Sequence, residues 1–116
     1  MVTSRRFEQL ASEALDELPS WVRERLDNVE VVVEDEPPTD QPGLLGLYEG
    51  VPLTRRGADY TWALPDRITL FQRPIEREAR ATGERALKRV IGDTVIHEVA
   101  HFFGSTDERL NELGRA

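Results

Sequence analysis

Apolar residues recur at helical spacing near the N-terminus, where Phe7, Leu10, Ala11, Ala14, Leu15 and Leu18 share one face of a helix expected over 4–18. Pro19-Ser20 interrupts that pattern, and Ser20 is the expected cap of a short helix from Trp21 to about Leu26. The spacing then tightens. Val29-Glu30-Val31-Val32-Val33 is compact and β-branched, the clearest strand of the chain. From Glu34 to Gly43, Pro37, Pro38 and Pro42 stand among four acids, which predicts an exposed loop. Leu44–Glu49 and Val51–Thr54 read as two short extended pieces around Gly50, and Arg55–Asp59 as a polar turn. Arg67–Phe71 is a second good strand, introduced by Pro65-Asp66. Pro74 suits the first position of a short helix over Ile75–Ala81, ended by Thr82-Gly83. Glu84–Phe103 is the longest expected helix, and Asp107–Leu113 a last short one. Helices, then short strands, then helices make an α+β fold rather than a doubly wound parallel sheet.

Length and charge narrow the function classes. With 116 residues the expectation is one domain, 1–116, with a single modest core. The net charge of −7, from 22 acidic and 15 basic residues, argues against a nucleic-acid partner, because phosphate contacts need a basic face. No apolar run approaches the roughly 18 residues of a membrane span, and none follows Arg5-Arg6 as a secretory signal requires. The expected compartment is therefore the cytoplasm, with no membrane partner. Cysteine is absent, so neither disulfides nor thiolate metal sites are available. Any transition metal must be held by histidines and carboxylates.

The sequence has two histidines, and both fall in one helix. From Val90 to Phe103 that helix is apolar on nearly every side, which predicts a place in the middle of the fold and partners for its ionisable groups. His97 and His101 are four residues apart, so their imidazoles project from one face, one turn above the other. Two imidazoles so placed can enter one tetrahedral zinc shell. Glu98 stands about 100° round the helix, displaced from the ligand face but within reach of a water on the metal. This is the H-E-x-x-H arrangement of zinc hydrolases. Two histidines placed at random fall four apart roughly 2% of the time, and with Glu after the first on the order of 0.2%, so the pattern is specific. The alternative is a pair of hydrogen-bonded core histidines with Glu98 in a helical ion pair.

Gly104 can end the helix in a left-handed turn, and Asp107 follows ten residues after His97. The result is H-E-x-x-H-x-x-G-x-x-D, which resembles the metzincin motif with Asp in place of its third His. A His₂Asp shell leaves a fourth position for water. Asp107 also has a structural reading, since Ser105 and Glu108 form a capping box and an acid suits a first helical turn. Glu108, Glu112 and Asp93 are the other candidates for third ligand.

The stretch VIHEVAHFFGSTDERLNELG, Val95 to Gly114, closely resembles the signature of the small bacterial minimal-zincin family. LLGLYEGVPLTR (Leu44–Arg55) and PDRITLFQRPIER (Pro65–Arg77) are similar to that family's middle segments. The resemblance implies a minimal zincin-like fold, a small mixed sheet packed against a central H-E-x-x-H helix. It also implies zinc-dependent hydrolysis of a peptide or protein substrate. It assigns His97, His101 and Asp107 as zinc ligands and Glu98 as the base. A non-catalytic metal-binding or protein-interaction module on the same fold is the competing expectation, because fold does not guarantee turnover. The Met-turn of larger metzincins has no counterpart here, since the one methionine is Met1. With nine residues after Asp107, the substrate surface is expected upstream, on an edge strand from Leu44–Thr54 or Arg67–Phe71. Tyr48, Tyr60 and Arg73 are candidate oxyanion donors.

Overall fold

The computed structural model describes residues 2–50, 65–80 and 83–102. Its elements run α1 (Ser4–Asp16), α2 (Ser20–Arg25), β1 (Val29–Glu34), β2 (Gly46–Glu49), β3 (Asp66–Phe71), α3 (Gln72–Ala79) and α4 (Glu84–Phe102). This is the expected α+β architecture, a small mixed sheet with helices packed against it. The Val51–Thr54 strand, the Arg55–Asp59 turn and the Asp107–Leu113 helix lie outside the described residues.

The strand order is β1-β3-β2. β3 runs parallel to β1, in the register Val31↔Ile68, and antiparallel to β2, in the register Tyr48↔Ile68. β3 is therefore central, which explains why Ile68 and Leu70 are fully buried and Thr69 and Phe71 nearly so. Of the two expected edge strands, Arg67–Phe71 is thus the wrong one. A strand paired on both sides has no free backbone to offer a peptide. Among the described residues, β2 forms one edge and β1 the other.

Local chemistry sets the helix ends. Thr3 caps α1, its hydroxyl accepting from Arg6 N at 3.1 Å. Ser20 does not cap α2 as expected; it is the first helical residue, and Pro19 precedes it without a side-chain hydrogen bond. α3 begins at Gln72, so Pro74 sits third in the helix, still within the first turn, where no intrahelical N–H is needed. α3 also ends earlier than the Thr82-Gly83 stop. Arg80 adopts the left-handed conformation (φ 55°, ψ 33°), and its N–H closes on the Arg77 carbonyl.

α4 is the keystone. Its Ile91, Val95 and Val99 are fully buried and meet Phe7 and Leu10 of α1, Val22 of α2 and Ile75 of α3 in one hydrophobic cluster. Outside that core, Arg6 grips Glu84 through two of its three nitrogens, Nε to Oε2 at 2.8 Å and Nη2 to Oε1 at 2.7 Å. That hydrogen bonding holds the exposed Glu84 carboxyl below its ordinary value and raises the Arg6 guanidinium above its own.

The contact of β2 with α4 is close enough to demand glycine. A Cβ on Gly46 would stand 2.7 Å from Thr94 Cγ2 and 3.1 Å from the Thr69 carbonyl oxygen. Thr94 cannot easily turn aside, because its hydroxyl donates to the Val90 carbonyl at 2.7 Å. Gly46→Ala is expected to destabilise the fold by about 1–3 kcal/mol, the ordinary cost of overpacking, measured from urea unfolding midpoints. Thr94→Ser removes Cγ2 but keeps the hydroxyl, and in the same chain it is expected to recover part of that loss. Strict additivity of the two substitutions would show that strand and helix do not press on each other there.

Candidate active site

The buried side of α4 leaves one polar stripe facing out. Asp93, His97 and His101, each four residues apart, are all exposed. The expectation of a helix in the middle of the fold is corrected on this face: the apolar residues turn toward sheet and helices, and the i, i+4 spacing gathers the polar ones on the remaining face. The His97 and His101 rings lie 6.2 Å apart, centroid to centroid, at 85°. Two imidazoles on one tetrahedral zinc have centroids roughly 5 Å apart. Closing that gap requires only side-chain rotation at an exposed face. As a donor pair, the two nitrogen ligands fit zinc.

Glu98 has a different environment. It is half-buried, and its Oε1 accepts from the backbone N–H of Tyr48 at 2.9 Å, across 50 residues of sequence. Strand alternation explains why that N–H is available. Phe71 N donates to the Leu45 carbonyl, so residues 45, 47 and 49 aim their backbone groups at β3. Gly46 and Tyr48 aim theirs away from it. The amide at the outward edge of β2 is thus occupied by the carboxylate of α4.

Tyr48 itself is held by two further contacts. Its hydroxyl donates to Asp66 Oδ2 at 2.9 Å, and its ring stacks on Phe102 with centroids 4.1 Å apart and 27° between planes. Phe102, one turn beyond Glu98, is 46% exposed. Its ring also lies over Gly50, where a Cβ would come within 2.5 Å of Cζ. Strand and helix therefore run in step, Gly46 on Thr94, Tyr48 on Glu98 and Gly50 on Phe102.

Asp107, the expected third ligand, lies outside the described residues, as do Gly104, Glu108, Glu112 and Tyr60. Asp93, the remaining candidate, does not complete a site: among the described residues no group of three His, Cys, Asp or Glu is placed to hold a metal ion. The Tyr48 phenol is committed to Asp66 at one end of the strand pair. Arg73 is exposed on α3, its backbone N–H bonded to the Asp35 carbonyl. Sequence reasoning missed the Tyr48 amide, Gly46, Gly50 and Phe102. The one available signal was the pair of glycines four apart in an extended segment, which marks close approach of another element.

No helix among the described residues is long and apolar enough to cross a membrane. No curated protein shows significant sequence similarity to the chain. Residues 26–115 match the zincin-like metallopeptidase family, a span that takes in β1, the whole sheet, α4 and the segment beyond it. On that match, and with a small mixed sheet set against an H-E-x-x-H helix, the chain belongs to the zincin-like metallopeptidase family.

Proposed function

We propose that this protein is a zinc-dependent peptidase, with His97, His101 and Asp107 as metal ligands and Glu98 as the general base. The observation that carries the reading is on α4: two solvent-open imidazoles one turn apart stand beside a glutamate that the sheet edge anchors by one oxygen. Membership of the metallopeptidase family supports it.

Zinc, when bound, supplies the Lewis acidity that makes water acidic near neutral pH and polarises a carbonyl. The protein's own part is position and proton transfer. His97 and His101 lie on the exposed face of α4, where a substrate carbonyl has access. Oε1 of Glu98 accepts from the Tyr48 amide, and in this reading Oε2 takes the proton from the attacking water and returns it to the leaving amine. Both histidines face solvent on α4, and an extended peptide laid over that face would bring a backbone carbonyl to them. Peptide or protein is therefore the proposed substrate.

A diverse peptide library, scanned with zinc-loaded protein and again after chelation, tests the proposal. Cleavage that requires zinc supports it. Stoichiometric zinc binding with no cleavage anywhere in the library would instead favour a metal-binding module that retains the fold without turnover.

A further inference from the structure

A carboxylate on a flexible stem is an effective base only if its position is set beforehand, within about half an ångström of the productive geometry. In this protein the setting element is backbone: the Tyr48 N–H on Glu98 Oε1, 2.9 Å away. Its direction depends on β2 lying flat against α4. We propose that Phe102 and Gly50 are positioning residues for Glu98, pressing Tyr48 onto α4 so that its amide fixes one carboxylate oxygen and leaves the other for the proton. This inference rests on the peptidase reading for its catalytic consequence.

Four observations carry it. Phe102 sits one turn beyond Glu98 on the same helix, so the element bearing the base also bears the ring that clamps the base's anchor. That ring stacks on Tyr48 at 4.1 Å while remaining 46% exposed, whereas an aromatic placed for core packing would be buried. Gly50 makes the stacking possible, since a Cβ there would meet Phe102 Cζ at 2.5 Å and Cε1 at 2.8 Å. The Tyr48 hydroxyl on Asp66 secures the far end of the same side chain against β3. The ring and the hydroxyl of Tyr48 are therefore both held, one by Phe102 and the other by Asp66.

The test uses the full chain, ¹⁵N-labelled and metal-free, with the Tyr48 amide as the probe. Glu98→Ala calibrates it: loss of a charge-assisted hydrogen bond is expected to raise amide exchange by about tenfold or more. Gly50→Ala, which pushes the Phe102 ring aside, and Phe102→Ala are expected to reproduce that change. Phe102→Tyr, which keeps a stacking ring, is expected to leave the amide as it is. With zinc restored to equal stoichiometry, Gly50→Ala and Phe102→Ala are expected to lower kcat by on the order of 10²-fold, the scale of an ångström of misplacement, with KM little changed. A Tyr48 amide indifferent to Gly50→Ala and Phe102→Ala overturns the proposal, and so does a loss confined to KM. If Gly50→Ala fails to fold, the Phe102→Ala and Phe102→Tyr pair decides alone. The amide measurement needs neither metal nor turnover. A chain that cleaves nothing therefore overturns the peptidase reading, and an unmoved amide overturns this one.

Discussion

Glu98→Gln is expected to slow zinc-dependent peptide cleavage by about 10²–10⁴-fold, the usual contribution of a general base, while zinc uptake and fold stay intact. The substitution is well matched to the site. Its side-chain carbonyl can still accept the Tyr48 N–H that now reaches Oε1, so the anchor survives and only proton acceptance is lost. Cleavage rates on the best library substrate, measured beside zinc stoichiometry and thermal unfolding, separate the two. A Glu98→Gln protein that cleaves as fast as the parent would rule out the mechanism. One that loses zinc would make Glu98 a ligand rather than a base.

The second large effect concerns the metal. His97→Ala combined with His101→Ala is expected to abolish zinc uptake, taking it from about one ion per chain to none, because two of the three proposed ligands are removed. Both side chains are exposed, so the double variant is expected to fold normally. Elemental analysis after titration and dialysis reads the result. Uptake is also expected to fall in acid, where protons and zinc compete for the same nitrogens. Asp107→Ala in the same assay is expected to weaken binding far more than Glu112→Ala. Equal losses, or a larger one at Glu108, would move the third ligand. Uptake by the double histidine variant equal to that of the parent would place the metal elsewhere.

The legible parts of this fold are those where one residue's chemistry is spent locally. The i, i+4 spacing of His97 and His101 places two rings on one helix face whatever surrounds them. The β-branched run at Val29–Val33 and the strand at Arg67–Phe71 lie where their side chains predict. Helix ends were less legible, because Arg80 accepts a left-handed backbone that glycine usually takes, and Phe71 rather than the residue before Pro74 opens α3. Strand order was not legible either. Arg67–Phe71 and Leu44–Glu49 carry similar apolar content, and only pairing reveals that one is central and the other an edge. The anchor of Glu98 left no mark of its own beyond the two glycines that flank it. A backbone amide is the same for every residue, so a bond from Tyr48 N–H to a helix 50 positions away has no signature in residue type.

The stepwise match of β2 to α4 works like a vernier. Two strand residues advance about 6.8 Å, while four helical residues advance about 6.0 Å. Each rung therefore slips by nearly an ångström. Centred on Tyr48 and Glu98, the error stays below one ångström at Gly46 and Gly50, and a glycine at each end tolerates it because no side chain has to fit. One rung further, the two scales would be out by more than a bond length. The coincidence is good for three rungs, and the middle one carries the carboxylate.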